Sequence, residues 1–153
     1  MKIQTQIVLS TFILLAGCAG SPPKVGVKNG QLTLCPSSPN CVSSQAKDKE
    51  HFIEPIVTKG TQLEVKTHLL KTLNEMDRTK IILAKDDYLN AEFTSKIFHF
   101  VDDVEFYFPD TKSKEISIYV RSASRLGYSD LGVNRERIEM IRSKLKATDM
   151  DKK

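Results

Sequence analysis

The stretch 121–137, RSASRLGYSDLGVNRER, combines four arginines, one aspartate and several hydroxyl residues directly after a predicted strand. Arginine binds carboxylates and phosphates through paired hydrogen bonds. The cluster can therefore be a site for an anionic ligand, or a network of internal ion pairs that joins a loop to a sheet and a helix. The pattern favours the internal network. With two acids from the preceding strand, the candidate residues are Asp102, Asp103, Arg121, Ser122, Ser124, Arg125, Ser129, Asp130, Asn134 and Arg135.

A serine nucleophile in this stretch lacks the partners that catalysis requires. Such a serine needs a histidine or lysine base and an orienting acid, and Ser122, Ser124 and Ser129 have no histidine in the motif. The chain also has no G-x-S-x-G elbow, phosphate-binding glycine loop or H-E-x-x-H pair. We therefore identify no catalytic residue and expect no cofactor, and a hydrolase is a less favoured alternative.

The predicted hairpin of DDVEFYF and EISIYVR positions one of the arginines. A symmetrical register places Arg121 opposite Asp103 or Glu105 on the polar face, depending on the turn PDTKSK. Such a cross-strand ion pair contributes a few tenths to about 1 kcal/mol.

The last predicted helix runs from about residue 134 to 146, with Asn134 as a suitable N-cap. Arg135 and Arg137 lie in its first turn, where the helix dipole disfavours a cation by about 0.3–1 kcal/mol. A nearby negative charge should compensate. We therefore predict a polar clasp in which Asp102, Asp103 and Asp130 pair with Arg121, Arg125 and Arg135.

The N-terminus, MKIQTQIVLSTFILLAGC, has the anatomy of a secretory signal: a lysine, an apolar run and small residues. The run is too short for a spanning helix. LAGC also resembles the lipobox of bacterial lipoproteins, which implies that Cys18 is lipidated and begins the mature chain. Several acyl chains together would anchor it stably. Ala19 after the cysteine resembles the class sorted to the inner face of the outer membrane, if the host is Gram-negative.

Composition divides the chain into four parts. Residues 1–17 are the predicted signal peptide, and the segment 18–31, rich in Gly and Pro, is predicted to be a flexible tether. Residues 32–147 are predicted to form one domain, followed by a polar tail over 148–153.

Cys35 and Cys41 are predicted to form a disulfide, because export places both thiols in an oxidising compartment. A redox pair or a zinc site with His51 would need a different spacing of ligands. We therefore predict no metal site.

The body of the chain predicts an α+β fold. HFIEPIVT suits an edge strand, and apolar residues recur with helical spacing over 61–76. TKIILAK, YLNAEFTSKIFHF, VEFYF and EISIYVR read as consecutive strands. Short turns between them imply an antiparallel sheet of about five strands, in two layers with both helices on one face.

Three segments, CPSSPNCVSS, FVDDVEFYF and VRSASRLGYSDLGVNRERIE, make the chain resemble the family known as domain of unknown function 1499. The resemblance covers about residues 34–145 and implies no established activity. The residues that match the family's motif positions are Cys35, Pro36, Pro39, Asn40, Cys41, Asp102, Asp103, Arg121, Ser122, Ser124, Arg125, Ser129, Asp130, Asn134 and Arg135.

Together these patterns predict a membrane-anchored envelope lipoprotein that acts as a non-catalytic interaction or accessory module. Its partners would be the membrane, through the lipid anchor, and an envelope protein. The alternative is a binder of a small anionic or lipid-derived ligand. The formal charge of +4 is spread among acids without a basic block, so no nucleic-acid partner is expected.

Overall fold

Two helices cover one face of an antiparallel sheet in a computed structural model that describes residues 21–110 and 115–150. The fold is α+β, as predicted. In chain order the elements are β1 (Val27–Lys28), β2 (Gln31–Leu32), β3 (Cys41–Ser43), β4 (Ile56–Lys59), α1 (Gln62–Asn74), β5 (Thr79–Ala84), β6 (Tyr88–Thr94), β7 (Val101–Tyr107), β8 (Glu115–Ser124) and α2 (Val133–Met150).

The main sheet places β8 between β7 on one side and two short strands on the other. Its order over the described residues is β3–β8–β7–β6–β5, and β4 also pairs with β8. β3 pairs with the end of β8 at 121–123, whereas β4 pairs with its beginning at 115–118. The two short strands therefore share one edge, and the described part of the sheet has six strands where the sequence predicted about five.

Alternating apolar side chains build the core between the sheet and the helices. Because successive side chains of a strand point to opposite faces, one residue in two of β6, β7 and β8 faces the helices. Burial of these side chains is the main contribution to stability. The buried core contains Val65, Leu69 and Leu73 of α1, Leu89, Ala91 and Phe93 of β6, Val104, Phe106 and Phe108 in and after β7, Ile118 and Val120 of β8, and Ile138, Ile141 and Leu145 of α2.

Among the differences from the prediction are two element boundaries and one additional strand. β6 ends at Thr94 and does not continue to residue 100, because Ser95 and Phe100 close a turn through two hydrogen bonds. β3 was not predicted, since it is a three-residue strand in a serine-rich segment. α2 extends to Met150, so the first residues of the predicted polar tail are helical.

The predicted tether is partly structured. β1 and β2 form a hairpin around Asn29 and Gly30, both of which have the positive φ that an Asn-Gly turn requires. Gln45 donates to the Gly30 carbonyl oxygen and accepts from the Leu32 amide. The folded part therefore begins before Leu32. The predicted signal peptide, Cys18 and residues 151–153 lie outside the described residues.

No helix within residues 21–110 and 115–150 combines the length and the apolar character that a bilayer crossing requires.

Candidate functional site

Strand alternation divides the predicted polar clasp between the two faces of the sheet. Asp102 and Asp103 are neighbours in β7, and Arg121 and Ser122 are neighbours in β8, so the members of each pair point in opposite directions. The helix-side cluster consists of Asn40, Asp102, Ser122, Ser124, Asn134 and Arg137. The far-side cluster consists of Tyr88, Glu92, Asp103, Glu105, Arg121 and Arg125.

Glu105 is the centre of the far-side cluster and is fully buried. It lies directly opposite Arg121 in the β7–β8 register, and the Arg121 Nη1 donates to Glu105 Oε2 over 3.0 Å. The Tyr88 hydroxyl donates to Oε1 over 2.8 Å, and the Gly26 amide donates to the same oxygen over 2.9 Å. Of the two partners that the sequence left open for Arg121, Glu105 is therefore correct.

Burial of the Glu105 carboxylate is energetically unfavourable. Burial raises the pKa of the Glu105 carboxyl above its ordinary value, although Arg121, Tyr88 and Gly26 act in the opposite direction. Burial and the neighbouring Glu105 also raise the pKa of Tyr88. Tyr88 thus stays protonated and remains a hydrogen-bond donor. Loss of any of the three donors, Arg121, Tyr88 or Gly26, would destabilise the charged form of the Glu105 carboxyl.

Arg125 joins the two other acids of the far-side cluster. Its Nε and Nη2 donate to the two carboxylate oxygens of Asp103, each over 2.7 Å, and Nη2 also donates to Glu92. The hydrogen bonds to Asp103, followed by the one to Glu92, raise the pKa of Arg125. The cluster thus contains three carboxylates and two guanidinium groups. This balance opposes the binding of an anion.

Asn134 holds the helix-side cluster together. Its carboxamide oxygen accepts from the Ser122 hydroxyl and from Arg137 Nη1. Its nitrogen donates to the Asn40 carbonyl oxygen and to Ser124 Oγ, each over 3.0 Å. The side chain therefore connects α2, β8 and the loop before β3, which is why it is buried. The prediction that Asn134 caps α2 is wrong.

Arg137, and not Arg135, is the ion-paired arginine of α2. Its Nη2 donates to Asp102, and its guanidinium lies 4.8 Å from the centre of the Phe93 ring. Arg135 Nη2 instead donates to the backbone oxygen of Glu50 over 2.9 Å. The predicted acid partner of Arg135 is therefore wrong, because helical periodicity turns residues 135 and 137 in different directions.

Asp130 stabilises the start of α2 and pairs with no arginine of the described residues. Its Oδ2 accepts from the Asn134 amide over 2.8 Å, and its Oδ1 accepts from the Gly132 amide over 3.1 Å. A carboxylate at a helix N-terminus satisfies unpaired amides and interacts favourably with the dipole. The role predicted for Asp130 in the clasp is thus replaced by a capping role.

Replacement of Asp130 by alanine is expected to lower the free energy of unfolding by about 0.5–2 kcal/mol, because two backbone amides lose their acceptor. Asp130→Asn, which retains one oxygen acceptor but no charge, should lose less. Urea denaturation followed by circular dichroism measures both changes. A loss for Asp130→Asn equal to or above that for Asp130→Ala would contradict the capping role.

The three serines of the motif, Ser122, Ser124 and Ser129, all form hydrogen bonds within the domain. Ser122 is fully buried, and its hydroxyl lies between Asn134 and Arg137. Ser124 Oγ accepts from Asn134, and Ser129 Oγ accepts from the Leu131 amide. The described part of the chain also contains no group of three or more His, Cys, Asp or Glu residues arranged to hold a metal ion.

The loop before β3 is closed by the predicted disulfide between Cys35 and Cys41, with the Cα atoms 5.6 Å apart. Asn40 Nδ2 donates to the Gly127 carbonyl oxygen over 2.7 Å, so this loop is attached to the β8–α2 connection. The disulfide thus closes the loop from which Asn40 contacts the β8–α2 connection.

A contact near the disulfide was missed in the sequence. His51 Nδ1 lies 2.8 Å from Asp48 Oδ1, and Nε2 lies 3.2 Å from the Ser38 carbonyl oxygen. Burial, the largest influence, lowers the pKa of His51, but Ser38 and Asp48 together raise it above its ordinary value. The spacing of three residues between Asp48 and His51 was the available signal.

Glu92 and Tyr88 were also missed as members of the far-side cluster. The period of two in a strand puts both on the same face of β6, and the structure places Glu92 opposite Asp103 in the β6–β7 register. Two acids side by side require a shared cation, and Arg125 provides it.

These features define a class of protein: an α+β domain with a disulfide-closed loop and arginine–carboxylate clusters on both faces of its sheet. The chain belongs to the family described as Protein of unknown function (DUF1499), whose model matches residues 31–145. The family resemblance of the sequence motifs is thus confirmed. Comparisons with curated proteins and with solved structures gave no match.

Proposed function

We propose that this chain is a membrane-anchored envelope lipoprotein whose domain is a non-catalytic interaction or accessory module. The observation that carries this proposal is the internal pairing of the motif's charges: Arg121 with Glu105, Arg125 with Asp103 and Glu92, and Arg137 with Asp102. Charges engaged in this way support the fold and leave the surface loops as the contact regions.

Two alternatives have less support. A hydrolase would need an accessible nucleophile with a base beside it, whereas Ser122 is buried between an amide and a guanidinium group. A binder of a small anionic or lipid-derived ligand would need unpaired cations. The excess of carboxylates over guanidinium groups in the far-side cluster counts against that binder.

The anchor part of the proposal rests on LAGC at 15–18, directly after an apolar run and before a stretch rich in small residues. Lipidation of Cys18 would attach the exported domain to a membrane, at the inner face of the outer membrane if the host is Gram-negative. One acyl chain gives only reversible membrane binding, whereas two or more chains on the same cysteine give stable attachment.

Cys18→Ser is expected to abolish the incorporation of a labelled fatty acid and to give release from the membrane or misprocessing, because the lipid-bearing sulfur is lost. Ala19→Ser, which changes the neighbouring residue and keeps the cysteine, should retain both label and membrane attachment. Feeding cells an alkyne fatty acid, followed by immunoprecipitation and fractionation, measures this. Equal labelling of the Cys18→Ser variant and the parent, or no labelling of the parent, would refute the anchor.

A further inference from the structure

Two loops at one end of the sheet expose an unusual number of large apolar side chains. Residues 95–100 connect β6 to β7, and residues 125–132 connect β8 to α2. The loops are neighbours, because the Arg125 amide donates to the Val101 carbonyl oxygen over 3.0 Å. We call their exposed apolar side chains the apolar loop surface: Ile97, Phe98, Phe100, Leu126, Tyr128 and Leu131.

The apolar side chains of this surface are held in place by local structure. Phe98 and Phe100 stack with their ring centres 5.5 Å apart. Leu131 is 92% exposed and has a φ of 56°, in the left-handed region that leucine rarely adopts. The Leu131 amide donates to Ser129 Oγ, which helps to maintain this conformation. An exposed leucine fixed in a strained conformation is typical of a contact site.

The charges of the two loops suit a surface with negative headgroups. Residues 95–100 and 125–132 contain the exposed Lys96 and one acid, Asp130, whereas the Arg125 guanidinium belongs to the far-side cluster. The Asp130 carboxylate already accepts hydrogen bonds from the backbone amides of Gly132 and Asn134. Apolar side chains beside an exposed lysine and without a free acid are the composition of a membrane-surface contact.

The short N-terminal segment would keep the whole domain close to the membrane. Cys18 precedes Ser21 by three residues, so the two Cα atoms are at most about 11 Å apart along any path. The adjoining residues 22–25 line a cleft over the far side of the sheet, together with Ile82, Asn90 and Arg125. A domain of about 120 residues has a radius of gyration of about 13–14 Å. An anchor at Cys18 would therefore hold the domain against the bilayer.

We propose that the apolar loop surface docks onto the lipid bilayer in which Cys18 is anchored. This inference rests on the proposed lipid anchor and adds an orientation to it. The side chains of Ile97 and Phe98 enter the region between headgroups and acyl chains, to a depth of about 5–10 Å. A second copy of the chain and an envelope protein are the competing occupants.

The test uses the full lipidated protein purified from membranes and reconstituted into vesicles of phosphatidylethanolamine and phosphatidylglycerol at about 3:1, a composition that supplies anionic headgroups. In the Ile97→Cys variant, the introduced thiol is labelled with an environment-sensitive fluorophore. Leu63→Cys is the matched control, because Leu63 and Ile97 are both 75% exposed. Leu63 lies at the opposite end of the sheet, where Gln62 donates to the Asp86 carbonyl oxygen in the β5–β6 turn.

We expect the label at residue 97 to shift its emission to shorter wavelength and to be quenched by nitroxides on the acyl chains, while the label at residue 63 is unchanged. Equal responses at both residues in protein that floats with the vesicles would overturn the docking and leave the anchor intact. Protein that fails to float would refute the anchor, and the docking with it. A blue shift at residue 97 that depends on protein concentration, without quenching by lipid nitroxides, would overturn the docking in favour of a second copy.

Discussion

Arg121→Met is expected to lower the free energy of unfolding by about 3–5 kcal/mol, because Glu105 would become a buried charge without its cation. Glu105 is fully buried, and its remaining partners would be the Tyr88 hydroxyl and the Gly26 amide. Two neutral donors offset only part of the desolvation of a carboxylate. Guanidinium chloride denaturation at pH 7 measures the loss.

The loss should depend on pH in a definite direction. Burial raises the pKa of Glu105 in the folded state above its value in the unfolded chain, so folding is favoured when this carboxyl is protonated and disfavoured as the pH rises through the folded pKa. Without Arg121 the folded pKa should rise further. The stability deficit of Arg121→Met relative to the parent should therefore be smaller at pH 5 than at pH 7.

Two comparisons separate this effect from a general loss of packing. Adding Glu105→Gln to Arg121→Met removes the orphaned charge and should recover part of the stability at pH 7. Arg135→Met is the matched control, because Arg135 is half-buried and bonds only a backbone oxygen among the described contacts; its cost should stay below about 1 kcal/mol. An Arg121→Met loss no larger than that of Arg135→Met would contradict the assignment.

Arg125→Met should cost a similar amount, about 3–5 kcal/mol, because both Asp103 and Glu92 would lose their shared cation and repel each other. The paired hydrogen bonds between Arg125 and Asp103 make this the most directional contact of the far-side cluster. Asp103→Asn in the Arg125→Met background should therefore cost much less than Asp103→Asn in the parent.

A double-mutant cycle identifies which residues interact. Residues in direct contact typically show coupling energies of about 0.5–3 kcal/mol. We expect the coupling between Arg125 and Asp103, and that between Arg121 and Glu105, to exceed the coupling between Arg121 and Asp103. Unfolding free energies of the parent, single and double variants determine each value. A coupling between Arg121 and Asp103 as large as the other two would favour one continuous clasp over separate ion pairs.

Elements whose pattern is local were predicted well from the sequence. The apolar spacing of Val65, Leu69 and Leu73 identified α1, which begins with a capping box between Thr61 and Glu64. The period of two in β6, β7 and β8 identified the residues that face the core. These apolar periodicities can be read from one segment alone, because an element buries its apolar face whichever element packs against it.

The errors arose where backbone geometry or distant partners decide the outcome. Asn134 is a good N-cap by residue type, but its carboxamide bonds Ser122 and Asn40. Asp130 instead accepts from the Asn134 amide in the first turn of α2. The hairpin of β1 and β2 is short and polar, so its sequence is typical of a tether. Its structure depends on hydrogen bonds with the side chain of Gln45, which lies outside the hairpin. Neither outcome can be inferred from neighbours in sequence.

The sequence by itself determined the family, the α+β class, the core faces and the disulfide between Cys35 and Cys41, because these depend on composition, periodicity and motif identity. Only the tertiary structure decided how the charges pair. The β7–β8 register places Glu105 opposite Arg121. Because successive side chains of β7 point to opposite faces, Asp102 contacts Arg137 and its neighbour Asp103 contacts Arg125. The physical reason is that an ion pair requires contact within a few ångströms, and residues far apart in the chain reach that distance only after the strands and α2 have packed.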